Sequence, residues 1–265
     1  LSSNAISKIV ELDNGSLVVA TFGGGINILH KNGNVSRIKH DENDTNSISS
    51  NKVIDVIVEN KQSLWIATRG AGINHYNLAT GDNTRFQVND EQENPIRSNN
   101  IVSLLNTEDY IWVATEDFGI ARLSKSEYYQ GNIVFEHIGI SEGMPSNVAY
   151  GLVADDYGYI WISHTRGLTR LSSNDLSINN FNKAHGLQED DFNAGAYFKS
   201  KAGRIYFGGP NGFNYFMANN VPINKYQPPL RFTKFSKNNK TVPIHHMFRN
   251  DGVLELEYSD SFLDF

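Results

Sequence analysis

The sequence predicts an all-β fold, a β-propeller built from repeated four-stranded blades, and three observations carry that prediction. One phrase recurs as Leu64-Trp65-Ile66-Ala67-Thr68, Tyr110-Ile111-Trp112-Val113-Ala114-Thr115 and Tyr159-Ile160-Trp161-Ile162-Ser163, with weaker copies at Leu17-Val18-Val19-Ala20-Thr21 and Ile205-Tyr206-Phe207-Gly208. The intervals between copies, Thr21 to Thr68, Thr115, Ser163 and Gly208, are 47, 47, 48 and 45 residues. A repeat of about 40 to 50 residues holding four strands is the size of a propeller blade. Finally, runs of four to six apolar residues rich in Val, Ile, Trp, Tyr and Phe alternate with Gly, Asn and Asp turn signals, the pattern of antiparallel strands.

The second repeat shows the elements most fully. Ser50-Asn51 opens a first strand with apolar residues at Val53, Ile54, Val56, Ile57 and Val58, and a polar turn follows at Glu59 to Gln62. The tryptophan strand comes next, then Gly70-Ala71-Gly72, a third strand at Ile73-Asn74-His75-Tyr76, and a fourth around Thr84-Arg85-Phe86. Asp13-Asn14-Gly15, Asp155-Asp156-Tyr157-Gly158 and Lys201-Ala202-Gly203 precede the second strand of their repeats, where a hairpin needs residues tolerant of positive φ. The tryptophans keep a fixed register, which assigns them to the packing between sheets rather than to a sugar platform.

These signals place propeller blades over residues 1–218, as five four-stranded repeats at about 3–49, 50–96, 97–144, 145–190 and 191–218, expected to be part of a larger propeller. The chain opens directly on a repeat motif, Ser3-Asn4-Ala5-Ile6, so a fragment of a longer protein is expected. After Phe216 the pattern changes. Residues 219–229, with Asn219-Asn220-Val221-Pro222 and Tyr226-Gln227-Pro228-Pro229, read as a linker. Residues 230–265, with strands expected at Leu230 to Phe235 and Val253 to Tyr258, read as the truncated start of a β-sandwich.

Composition narrows the function classes. With 265 residues, 39% hydrophobic, 20% charged and a net charge of −6, the chain has no basic block dense enough to follow a phosphate backbone, so nucleic acid is not an expected partner. No run approaches the roughly 20 apolar residues that span a bilayer, and no membrane contact is expected within these residues. Zero cysteines exclude thiolate nucleophiles, disulfides and thiolate metal sites.

The phrase Ser50-Asn51-Lys52-Val53, the tryptophan strand, and Gly70-Ala71-Gly72-Ile73-Asn74-His75-Tyr76 resemble the two-component regulator propeller repeat. The resemblance recurs at Gly143-Met144-Pro145-Ser146-Asn147-Val148 with Arg166-Gly167-Leu168-Thr169-Arg170-Leu171. Gly186 to Ala196, followed by Gly203 to Asn214, is similar to that family's last blade. Leu230-Arg231-Phe232-Thr233 and the terminal Ser259 to Phe265 are similar to the opening of its immunoglobulin-like domain. The resemblance implies the periplasmic sensor of a membrane-bound regulator, a hybrid histidine kinase or a diguanylate cyclase, commonly with seven blades. Five copies depart from that number.

Positions that share a frame but differ between copies are where a ligand can be read. The residue after the tryptophan strand is Phe22, Arg69, Glu116, His164 and Gly209 in the five copies. This turn and the inter-blade connections (Asp41 to Asn46, Glu91 to Arg97, Glu142 to Pro145, Glu189 to Asp191) are expected to open on one face. Arg69, Glu116, Asp117, His164 and Arg166 are therefore the candidate ligand-binding residues, with donors and acceptors suited to hydroxyls or a carboxylate. The bland alternative is a solvated loop surface, and Asp190-Asp191 are expected to flank a turn.

Catalytic readings lack a constellation. Twenty-nine acids do not specify a glycosidase pair. His245-His246, adjacent on an extended chain, point to opposite sides and do not share a metal. The Gly-x-Ser-x-Gly elbow is absent. No metal, no cofactor and no catalytic residue are expected; a lyase with His164 as lone base is the weakest of three readings. The first is a ligand sensor for a small solute, with an oligosaccharide as one class, acting as a homodimer. The second is a dimerisation or protein-binding propeller.

Overall fold

The computed structural model describes residues 1–89 and 94–221, with the short stretches 235–237, 240–242 and 263–264. The chain divides into two compact units, Leu1–Val221 and Pro222–Phe265.

In the first unit each repeat folds as an antiparallel meander. The first blade is β1 (Ile6–Glu11), β2 (Leu17–Thr21), β3 (Gly25–Leu29) and β4 (Val35–Ile38); the second is β5 (Val53–Asn60), β6 (Ser63–Thr68), β7 (Ile73–Asn77) and β8 (Asn83–Phe86). The third is β9 (Ile101–Asn106), β10 (Tyr110–Thr115), β11 (Ile120–Ser124) and β12 (Phe135–Ile138), with a one-turn helix α1 (Lys125–Tyr129) inserted before β12. The fourth is β13 (Ala149–Ala154), β14 (Tyr159–His164), β15 (Gly167–Ser172) and β16 (Ile178–Phe181). The first strands of successive blades are neighbours and form the inner wall.

The fifth blade differs from expectation. Among the described residues it has three strands, β17 (Tyr197–Lys199), β18 (Arg204–Gly209) and β19 (Gly212–Met217). After β19 the chain enters a 3-10 turn at Ala218–Asn220 instead of a hairpin to a fourth strand. The second unit contributes a small sheet in the order β21 (Lys240–Val242), β20 (Phe235–Lys237), β22 (Leu263–Asp264). Most of the expected linker, the expected strand at Leu230 to Phe235 except Phe235 itself, which opens β20, and the expected strand at Val253 to Tyr258 lie outside the described residues.

The pleat explains the packing, because alternate residues of a strand face opposite sides. In β6, Leu64 and Ile66 face the first blade, joining Val18, Ala20, Ile26 and Ile28, while Trp65 and Ala67 face the third, joining Ile101, Leu104, Ile111 and Val113. Trp112 lies in the same way against the fourth blade, and Trp161 against the fifth. Every tryptophan therefore fills the gap toward the following blade. Tyr206, which takes the tryptophan place in the last blade, has no following blade among the described residues. With Phe198, Phe213 (62% exposed) and Tyr215 it forms an open aromatic face, and the opposite face of the first blade is likewise open at Ile6 and Ile9 (54% exposed).

Asp55 ties the inner wall together. A bulge in β5 between Val53 and Asp55 turns its carboxylate inward. Oδ2 accepts from Leu104 N of the third blade (2.9 Å) and Tyr197 Oη of the fifth (3.3 Å); Oδ1 accepts from Val56 N (2.9 Å) and faces Lys8 Nζ of the first (3.4 Å). Burial pushes its carboxyl above the usual range, against the pull of Lys8 and the two backbone donors. Asp55→Ala is expected to lower stability by about 2 kcal/mol, since it orphans the buried Leu104 N–H. A raised carboxyl opposes folding as pH rises through its folded pKa, so the loss should be largest on the acidic side. Urea midpoints across pH check both statements.

Candidate functional site

The turns after the second strands and the inter-blade connections do share one end of the blades. Gly25 N donates to Asn51 O (3.0 Å), Gly72 N to Asn99 O (3.0 Å) and Gly119 N to Asn147 O (2.6 Å), so each turn is stitched to the opening of the next blade. Arg69 N and Glu116 N add bonds to Lys52 O and Asn100 O. The asparagine side chains complete the stitch by accepting from His40 N, Val88 N and Ile140 N, where the connections begin. Asp190 does the same for Lys183 N (2.6 Å), which gives it a structural role at the turn.

The glycine that ends each turn is required by geometry. Gly72 has φ 71° and Gly119 φ 72°, and a Cβ there would strike the carbonyls of Phe86 and Ile138 on the outer strands.

Arg69 and Glu116 stand side by side on adjacent turns, Nη2 to Oε1 3.2 Å, both well exposed, a pair worth roughly 0–1 kcal/mol. Asp117 and Arg166 are exposed on the same end. Among the described residues no ion pair joins either to that couple.

His164 lies elsewhere. Aligned on the tryptophans, which are 47 and 49 residues apart, it matches Thr68 and Thr115 rather than the residue after them; Thr165 is the first turn residue. Thr68 and Thr115 bond across their turns to Gly72 O and Gly119 O. His164 replaces that hydroxyl in a turn one residue shorter. Fully buried, its Nδ1 accepts from Arg166 N (3.1 Å) and its Nε2 faces Thr169 Oγ1 (3.0 Å), which donates to Asn180 Oδ1 (2.6 Å). Burial lowers its pKa to about 4.

Tyr150, on β13, was not singled out by sequence. It lies half-buried beside the same mouth, and burial together with Asp191 and Glu116 raises its hydroxyl pKa. A tyrosine inside a strand carries no local signal of facing a mouth. The connection at 91–97 is described only from Asn94.

Two concavities lie along the outer strands. One, about 470 Å³, is lined by Arg97, Tyr110, Arg122, Glu127, Glu136 and Glu142; another, about 380 Å³, by Leu12, Ile28, His30, Lys61, Tyr76 and Leu78. Among the described residues no cluster of three metal-binding side chains occurs, and no helix is long and apolar enough to cross a membrane. His245 and His246 lie outside the described residues.

No protein-family model matches the chain. A histidine kinase of Formosa agariphila is 26% identical over 242 residues, which is 88% of this chain and 17% of that protein. The extracellular domain of a protein described as a hybrid two-component system, from B. thetaiotaomicron, superposes with TM-score 0.71 at 26% identity, over 84% of this chain and 30% of that one. A second such domain from the same organism gives 0.65 at 16% identity, over 81% and 31%, a likeness of fold. The chain thus spans under a third of these relatives. Its propeller blades are similar to those of extracellular domains of two-component signalling proteins.

Proposed function

We propose that this chain is part of the extracellular, ligand-sensing region of a membrane-bound two-component signalling protein. The observation that carries the reading is the likeness to such an extracellular domain at 26% identity and TM-score 0.71, alongside a histidine kinase at the same identity. The stitched end of the blades is the proposed receiving surface. Arg69, Glu116, Asp117, Arg166 and Tyr150 there supply charged and hydroxyl groups on a rigid frame, suited to a small hydroxylated solute such as an oligosaccharide. Buried His164 supports that surface from beneath. Binding transmits a signal only through different affinity for two arrangements of the protein, and the proposed arrangements are those of a homodimer. No catalysis is proposed.

Calorimetric titration with a panel of neutral and acidic oligosaccharides tests the reading. Saturable heat is expected, lost in Arg69→Ala and in Glu116→Ala, whose exposed side chains leave stability within about 0.5 kcal/mol. Silence across the panel, with the fold intact, would sink the small-solute reading, and turnover of any sugar would sink the non-enzymatic one.

A second reading has its own observation, the open faces of the first and fifth blades. Apolar sheet faces of this kind favour contact with another sheet, so the blades would then serve assembly. Self-association that weakens in Phe213→Ser, measured by sedimentation, is the result that reading requires.

A further inference from the structure

Three of the inter-blade clefts, those that follow the second, third and fourth blades, set a nitrogen-bearing side chain opposite the tryptophan of the second strand. In antiparallel register Trp65 faces His75, Trp112 faces Arg122 and Trp161 faces Arg170. The first two have anionic partners: His75 Nε2 lies 3.0 Å from Glu59, and Arg122 Nε donates to Glu136 Oε2 at 2.7 Å. Arg122 also spends Nη1 on Ser173 O of the next blade, 2.7 Å away.

Arg170 lacks all of this. It is only 4% exposed, yet the residue opposite it on the outer strand, where Arg122 has Glu136, is Asn179. Nη2 donates to Asn179 Oδ1 at 3.2 Å, and Nε has no partner. No Asp or Glu among the described residues pairs with it, and the nearby Asp155 is committed to Trp161 Nε1. Among the described residues no carbonyl takes the place of the Ser173 oxygen either: at the equivalent point the fifth blade runs from β19 into its 3-10 turn. Tyr159 and Trp161, with ring centres 4.4 and 5.8 Å from the guanidinium carbon, offer π faces but no lone pair in the plane of the fork. A guanidinium stays charged at any ordinary pH, and a buried cation without an anion is strongly disfavoured.

We propose that Arg170 is the base of an anion site in the cleft between the fourth and fifth blades, which takes a carboxylate group. A carboxylate presents two coplanar oxygens, one of which can accept from the unpartnered Nε–H, and it enters beside the half-buried Asn179 at the outer rim. The site is separate from the stitched end and stands whether or not that surface binds a sugar.

Acetate is the probe, titrated into the 265-residue chain at constant ionic strength against chloride. Saturable movement of the Arg170 Nε–H resonance is expected, with a rise in Tm of about 3 °C. Asn179→Glu, which copies the third blade, should raise Tm in chloride and abolish the acetate response. The proposal is overturned if acetate moves the resonance no more than chloride does, or if the response survives in Asn179→Glu. Should that variant not fold, the wild-type resonance alone decides.

Discussion

Trp112→Ala is expected to cost about 3–5 kcal/mol, the largest single loss available in these blades. The indole is completely buried among Ala114, Ile120, Ile138, Met144, Leu152, Ile160 and Ile162. It bridges the third and fourth sheets while its Nε1 donates to Thr107 Oγ1 at 3.2 Å. Deleting it also strips the Arg122 guanidinium of a ring whose centre lies 5.4 Å away. Replacement by Val, the residue found at this position in the first blade as Val18, should not rescue the protein, because the cavity depends on the facing sheet. The blades pack chiefly on their sequence neighbours, with the Asp55–Tyr197 bond as a cross-link between the second and fifth, so weakening this interface should also broaden the unfolding transition. Urea denaturation followed by circular dichroism reads both effects; a loss under about 1 kcal/mol would refute the packing role.

His164 should make the protein sensitive to mild acid. Its Nδ1 accepts a backbone N–H, so the ring is held neutral with its proton on Nε2, and a second proton would find no acceptor. Burial lowers the pKa from 6.5 to about 4. Between those values the unfolded chain binds more protons than the folded one, so stability rises with pH across that window and is lost as pH falls through it. The full swing is of the order of 3 kcal/mol. Glu59, where burial is outweighed by bonds from His75, Tyr129 and Trp65, titrates near 2 and stays below the window. Asp55, raised by burial, has the opposite sign. His164→Thr, which restores the residue of the second and third blades, should flatten the slope; an unchanged slope would show that another group carries it.

Periodicity made the blades legible. Trp65, Trp112 and Trp161 are large, uncommon and almost evenly spaced, at 47 and 49 residues, and the pleat then dictates which sheet each one meets. The Ser-Asn openings were visible as a motif, but their use was not, because the bonds made by Asn51, Asn99 and Asn147 run to chain written earlier. His164 sits at the end of β14 and not on the turn for a local reason: the fourth turn is one residue shorter, so a constant repeat length places it one position too far along, and tryptophan pairing restores the register. The adjacency of Arg69 and Glu116 on one end follows from their place on a repeated turn. The role of Asp55 is not legible in the same way, since it meets Tyr197 across 142 residues of sequence, a distance over which no local pattern reports.

The stitch by Asn51, Asn99 and Asn147 has a consequence for modularity. Each of these residues stands at the head of one sequence repeat, but its carbonyl and its amide oxygen serve the blade before it. The unit that evolution copied and the unit that folds are therefore out of phase by a few residues. A blade excised, grafted or permuted at the repeat boundary would lose the clasp at its own end and carry its neighbour's instead. Cutting after the asparagine keeps each clasp with the sheet that it closes.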